Sequence, residues 1–297
     1  MKPSKVVDAV LARRAQIVAE AVETVKDLTP TVVITGGSKG IGLALAKRFA
    51  KGGYRVAIVA RGTEELARAV EKVERAAGQR PIALSLDVTG KDALQLIEEE
   101  LGRHGAYLDV LINNAGMGIS GSFIEKEIDE IERLIAINVT AVTRLTRYAL
   151  PKMLARGRGG IINVASFAGF VPGPYQAAYY ASKAFVVSLG QSIAEEEIGK
   201  GVRICTATPG PVETGFHADT GAEGALYRRL PLSMSPEAVA ASIYRGYHLG
   251  HRLIVPGIFN RILAAIVGPI PYPVTAGIMS RLLWPGDPRG RNANGRE

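Results

Sequence analysis

The chain of 297 residues is 47% hydrophobic and 22% charged, which excludes the charge-rich, poorly hydrophobic signature of disorder. Its single cysteine, Cys205, excludes an intramolecular disulfide and a thiolate metal cluster within one chain, and a reducing cytosol suits it. The net charge of +8 admits an anionic partner, but no Lys/Arg block exceeds two residues and no aromatic residues interleave with basic ones, so nucleic acid is not expected.

At the N-terminus, residues 5–26 place Val6, Val10, Ile17, Val18, Ala21, Val22 and Val25 near helical spacing, predicting an amphipathic helix ahead of the core. Asp8, Arg13 and Arg14 break its apolar stretch, so it is not read as a signal peptide. The run "TVVITGG" predicts a strand ending in glycines, and "GIGLALAKRFAKGG" a helix closed by Gly52 and Gly53. Strands follow at 54–60, 81–86 and 108–113, with helices at 63–77 and 91–103 between them. After helices around 125–136 and 139–155 come the strand "GIINVAS", a helix at 177–198, the strand "VRICTATPG", a helix near 235–248 and a last strand at "RLIVPG". Seven strands alternating with helices predict an α/β fold with a parallel, doubly wound sheet, whose ligands bind at the carboxyl ends of the strands. Gly36, Asp87, Asn114, Ser166 and Pro209 all fall at such ends. Cys205, within a predicted central strand, reads as a small buried hydrophobe.

The loop "TGGSKGIG", residues 35–42, joins a predicted strand to a helix. Glycines there let the backbone approach a pyrophosphate closely, while the helix N-terminus offers its NH groups and positive dipole end. A glycine pattern alone is weak, and the strand-turn-helix context is what raises it. About 20 residues on, where an acidic residue would hold a ribose 2′-hydroxyl, stand Ala60 and Arg61. A guanidinium suits a 2′-phosphate, and Lys39 offers a second cation, so the expected cofactor is NADP(H).

With these motifs the sequence resembles the short-chain dehydrogenase/reductase family. The resemblance rests on "TGGSKGIG", on "NNAG" at 113–116, on Ser166 at a strand end, on YxxxK within "YYASK" and on "PGPVET" at 209–214. It runs from about residue 31 to 255 and implies a single Rossmann-type domain at 29–256, with an N-terminal extension at 1–28 and a C-terminal one at 257–297. Helical geometry alone lets either Tyr179 or Tyr180 sit beside Lys183. The family's three-residue spacing selects Tyr179, leaving Tyr180 to line the site or pack. The catalytic set it implies is Asn138, Ser166, Tyr179 and Lys183. The cofactor set is Gly36, Ser38, Lys39, Gly40, Ile41, Gly42, Arg61, Asp87, Val88, Asn114, Ala115, Gly116, Tyr179, Lys183, Pro209, Gly210, Val212 and Thr214. By the same resemblance Tyr179 supplies a proton, Ser166 polarises a carbonyl, Lys183 binds the nicotinamide ribose, and Asn138 supports a water relay from Lys183. A homodimer or homotetramer is implied as well. No metal is expected, because His104, His217, His248 and His251 lack ligand spacing.

The family also implies a lid after "PGPVET", here extending to about 235, with Phe216, His217, Leu226, Tyr227 and Leu230 among its larger side chains. Together with Phe167, Phe170, Val171 and Tyr175 it predicts an apolar pocket for a hydrophobic ketone or 3-oxoacyl-type carbonyl, and for the alcohol in reverse. A non-catalytic NADP-binding protein on the same fold is the alternative. In the apolar tail, Ile258, Ile262, Leu263 and Ile266, with Arg261 outside the stripe, suit a lipid interface. A cover over the pocket or a subunit contact is the other reading, favoured by the prolines. A cytoplasmic protein, with or without peripheral membrane contact, is expected.

Overall fold

The computed structural model describes residues 18–214, 233–267 and 270–284. The N-terminal helix expected over 5–26 lies mostly outside the described residues; within them, α1 spans Ala19–Glu23. The sheet contains β1 (Thr29–Thr35), β2 (Arg55–Ala60), β3 (Ile82–Ser85), β4 (Ala106–Asn113), β5 (Gly159–Val164), β6 (Val202–Ala207) and β7 (Leu253–Ile254). All pairings are parallel, in the order β3-β2-β1-β4-β5-β6-β7. The chain winds outward from β1 through β2 to β3, then returns to start again at β4. The reversal opens a crevice between the carboxyl ends of β1 and β4, where doubly wound sheets bind ligands.

Parallel strands are covered on both faces, which explains why Val32, Val33 and Ile34 of β1 form one unbroken apolar run with no exposed surface. One face carries α2 (Gly40–Lys51), α3 (Thr63–Ala77) and α8 (Pro236–His248), whose Leu45, Phe49, Val73, Val239 and Ile243 share a core with Ile34 and Ile58. On the opposite face α4 (Ala93–Arg103), α6 (Val142–Arg156) and α7 (Ala177–Glu196) bury Ile97, Leu101, Leu145, Met153 and Ala194 against Leu111 and Ile161. Local chemistry marks the ends. Gly78 closes α3 and Gly157 closes α6 in the left-handed conformation, and Ser235 caps α8 by accepting from the Ala238 amide at 3.2 Å ahead of Pro236.

Between α5 (Ile128–Ile135) and α6 the chain stays helical but opens into a π-helical stretch, Ala136–Ala141, where the sequence pattern predicts a break between two helices. Such widened turns recur at functional sites, and this one carries Asn138. Beyond β7, α9 (Ile258–Val267) and α10 (Tyr272–Leu283) return toward the crevice. Leu283, Met279 and Val267 pack there against Phe167, Phe170, Val171 and Tyr180. No helix among the described residues is long and apolar enough to cross a membrane.

Candidate active site

The glycine loop is shaped by what it must approach. Gly36 has φ +64°, a left-handed conformation, and a Cβ there would stand 2.8 Å from the Ala115 Cα. At Gly42, in the first turn of α2, a side chain would run into the Gly36 carbonyl and the Asn114 amide. The helix therefore starts directly on the strand end, with its N-terminal NH groups facing the crevice. That is a ready cradle for a phosphate-bearing ligand.

A hydrogen-bond knot holds the crevice in register. The Thr35 hydroxyl donates to the Ile112 carbonyl (3.2 Å) and accepts from the Asn114 and Ala115 amides (3.0 and 3.1 Å). Asn114 Nδ2 donates back to the Thr35 and Gly36 carbonyls (3.0 and 3.1 Å). Below it, Asn113 Nδ2 donates to Thr146 Oγ1 (3.1 Å) and Asn163 Oδ1 (2.9 Å), joining β4 to α6 and β5 inside the core. The "NNAG" motif thus ties β1, β4 and β5 together.

Ser166 follows β5 and caps a short 3-10 turn, Phe167–Phe170. Its Oγ accepts from the Ala168 amide at 3.1 Å and keeps its own hydrogen for donation. Opposite stands α7, seated closely because Gly190 has no side chain to strike Thr206 of β6. Lys183 on this helix is buried, and its ammonium donates to the Val164 carbonyl at 3.2 Å and lies 5.8 Å from the centre of the Tyr179 ring. Burial lowers the Lys183 ammonium from its ordinary value to about 8. Tyr180 also lines the cavity but is buried in the cluster with Ala168, Val171 and Leu283, and its ring meets Tyr179 edge to face at 6.0 Å.

Asn138 is almost fully buried, behind the cavity wall and not in it. Its Oδ1 accepts from the Met117 amide (2.9 Å), while Nδ2 donates to the Met117 carbonyl (2.8 Å) and Ser182 Oγ (3.0 Å). Ser182 in turn donates to the Tyr179 carbonyl at 2.6 Å. Asn138 therefore connects the loop after β4 to the turn of α7 that carries Tyr179.

One cavity of about 800 Å³ receives Ser166, Tyr179, Lys183 and every residue of the expected cofactor set. At one end Arg61 is joined by Asp87, whose carboxyl is held below its usual range chiefly by the Thr89 amide, with help from the Arg61 charge. The other end departs from the sequence expectation. Of Phe167, Phe170, Val171 and Tyr175, only Phe167 lines the cavity. Phe170 and Val171 pack beneath α10, and Tyr175, at φ +64°, gives its carbonyl to the Gly121 amide at 2.8 Å. Phe216, His217, Leu226, Tyr227 and Leu230 lie outside the described residues.

Residues not assigned to the cavity from the sequence complete the wall, among them Leu263, which the sequence pattern set in the lipid-facing stripe. Asn260 and Leu263 of α9 and Met279, Leu282 and Leu283 of α10 line the cavity. Asn260 occupies the space beside Gly210 that a side chain there would need, and its Nδ2 donates to the Pro256 carbonyl at 2.8 Å. Gln176, one turn before Tyr179, also lines the cavity; it is 8% exposed, and its Nε2 has no hydrogen-bond partner among the described residues. A buried amide donor without a partner is costly unless a ligand supplies one. Its position at a helix start, three residues before the tyrosine, was the available signal.

A phosphate cradle at the switch point, with a serine, tyrosine and lysine on its inner wall, defines a dinucleotide-site protein of the doubly wound class. The family model described as short chain dehydrogenase matches residues 30–224, and the chain belongs to that family. Ketoacyl reductase HetN of Nostoc sp. is 37% identical over 191 residues, 64% of this chain and 66% of that protein. A short chain dehydrogenase of Pseudocercospora fijiensis is matched over 61% of its length, so this chain spans under two thirds of either relative. The 3beta-hydroxysteroid dehydrogenase 1 of Eggerthella lenta is 34% identical over 219 residues, 71% of this chain and 84% of that one. A solved short-chain dehydrogenase from Sphingobium yanoikuyae in complex with NADPH superposes with TM-score 0.70 at 31% identity, covering 82% of this chain and 96% of that one.

The buried ammonium has a measurable consequence. Its folded-state value of about 8 lies below its ordinary 10.5, so between these values the unfolded chain binds more protons and stability rises with pH. Below pH 8 the penalty is fully present, on the order of 3 kcal/mol. Lys183→Met should therefore be more stable than wild type at pH 7 without cofactor, and the gap should close toward pH 10. Urea unfolding at both pH values checks this, and a gap independent of pH contradicts it.

Proposed function

We propose that the chain is an NADPH-dependent oxidoreductase that reversibly reduces a hydrophobic ketone or 3-oxoacyl-type carbonyl to the alcohol. One observation carries this reading: Ser166, Tyr179 and Lys183 share a single cavity with the glycine cradle and Arg61. The cofactor's pyrophosphate would lie on the Gly36–Gly42 loop at the start of α2, and its 2′-phosphate beside Arg61, with Lys39 near by. When bound, NADPH supplies the hydride that reaches the carbonyl carbon.

Negative charge then grows on the carbonyl oxygen, and the chain's own groups must meet it. Ser166 donates its hydroxyl hydrogen to that oxygen, since its lone pair already holds the Ala168 amide. Tyr179 delivers the proton from its phenol, and in the reverse direction its phenolate recovers it. A free phenol titrates near 10, and the Lys183 cation beside the ring favours the phenolate. Asn138 and Ser182 hold the Tyr179 turn in place. Leu263, Met279, Leu282 and Leu283 favour an apolar substrate over a hydroxyl-rich one. Gln176 offers its amide donor to a second oxygen, such as the thioester carbonyl of a 3-oxoacyl compound. The names of the two reductase and dehydrogenase relatives, a ketoacyl reductase and a hydroxysteroid dehydrogenase, lie within this substrate range.

Four substitutions test the parts separately. Tyr179→Phe should lower kcat by about 10²–10⁴-fold while NADPH affinity stays near wild type, and Tyr180→Phe should be mild. Steady-state kinetics with fluorescence titration of NADPH checks this, and equal losses in the two variants would assign the proton donor wrongly. Arg61→Asp should weaken NADPH by about 10- to 100-fold, the loss of a charge-assisted hydrogen bond, with NADH little changed; an unaltered preference contradicts the phosphate assignment. Gln176→Leu should raise KM for a 3-oxoacyl thioester by about tenfold and leave that for a simple ketone unchanged. A parallel rise for both substrates would make Gln176 structural.

A further inference from the structure

The helices that close one end of the cavity have a second face. Asn260 and Leu263 of α9 and Met279, Leu282 and Leu283 of α10 look inward. Outward, Ile258, Phe259, Ile262 and Ile266 of α9 are 62%, 72%, 52% and 54% exposed, and Val274 and Ile278 of α10 are each 52% exposed. Ile258, Ile262 and Ile266 follow one another at four-residue steps, as do Val274 and Ile278, so each set forms a stripe. Single exposed apolar residues need no explanation, but apolar stripes on two consecutive helices do.

Charge decides what covers them. From Gly257 to Trp284 the ionisable acids and bases are Arg261 and Arg281, both exposed, with no aspartate or glutamate. A second copy across a two-fold axis would set these arginines and isoleucines against a surface of the same kind, with no carboxylate from the strip to answer them. An anionic headgroup layer supplies both the apolar depth and the counter-charge. Tyr272 and Trp284, 68% and 50% exposed at the two ends of α10, are the amphipathic rings that settle at headgroup level. Helices of 10 and 12 residues cannot cross a bilayer but can lie on it.

We propose that α9 and α10 dock the protein on the surface of an anionic phospholipid bilayer, with the inner faces of the same helices lining the cavity. Resting on the hydrophobic-substrate reading above, this lets an apolar carbonyl compound pass from lipid to Tyr179 without crossing water. The cover over the pocket and the lipid-facing stripe are then two sides of one helix pair.

Trp284 is the only tryptophan of the chain, so its emission reports this surface. The full chain is mixed with vesicles of phosphatidylcholine alone or with a third phosphatidylglycerol, then sedimented while emission is recorded. Binding and a blue shift with phosphatidylglycerol, weakened by salt, are expected, with at least about tenfold weaker binding to phosphatidylcholine or by the double variant Phe259→Glu, Ile262→Glu. Neither substituted residue lines the cavity, so NADPH affinity should be unchanged in that variant. Protein that stays in the supernatant, binds both vesicles equally, or binds undiminished in the double variant overturns the proposal. So does a double variant whose sedimentation velocity shows a lost oligomer, which would assign the stripes to a second copy. Vesicle binding by a chain that reduces no carbonyl would support docking and sink the proposed reaction, so the two ideas fail separately.

Discussion

The site depends on one hydrogen-bond knot at the switch point of the sheet. β1 and β4 are neighbours in space but 70 residues apart in the chain, and only side chains can join their ends once the ladder stops. Thr35 and Asn114 do so in both directions, with the hydroxyl accepting two amides and the carboxamide answering two carbonyls. Because those carbonyls belong to Thr35 and Gly36, the same bonds set the height of the glycine loop above the sheet. Loss of the knot would loosen the cradle and the floor of the cavity together. Asn113 and Asn163, partners on one rung of β4 and β5, carry the coupling one strand further, toward Ser166.

α7 is the second constraint, because it must bring a phenol and an ammonium to the same point from one face. Tyr179 and Lys183 are one turn apart, and the ammonium is buried under the crevice, held by the Val164 carbonyl of β5. Its lowered proton affinity is the cost of that position. A bound anionic cofactor would offset part of it, so in the proposed reaction the lysine would favour ligand binding as well as proton transfer. Asn138 reinforces the arrangement indirectly, through Ser182 and the Tyr179 carbonyl.

Much of this was legible in the sequence because it is written in local patterns. Unbroken apolar runs such as Val32–Ile34 mark strands covered on both faces, and the TGxxxGxG and YxxxK spacings record where backbone must approach backbone and where two side chains share a helix face. Tyr179 and Tyr180 show the limit of that reasoning. Helix pitch allows either to neighbour Lys183, and both border the cluster of Val171 and Leu283; Tyr180 is buried in it, whereas Tyr179 is half-buried and also packs against Ile119, Ile131 and Leu134. Of the residues expected in the pocket after Ser166, Phe167 lines it, but Phe170 and Val171 were misplaced for the same reason. Phe170 and Val171 are apolar because α10 covers them, and a one-dimensional pattern records that a residue is buried but not what buries it. Nor does it reveal Asn260 reaching over Gly210, or Gln176 facing the cavity without a partner, since both follow from contacts between distant segments.

The central claim is that these groups together perform carbonyl reduction with NADPH. It is tested most directly by following NADPH absorbance as hydrophobic ketones and 3-oxoacyl thioesters are added, with NADH in parallel and the product analysed. The account predicts oxidation of NADPH matched one for one by alcohol, and a clear preference over NADH. Tight NADPH binding without oxidation on any carbonyl of a broad panel would contradict it and favour a cofactor-binding protein without chemistry of its own.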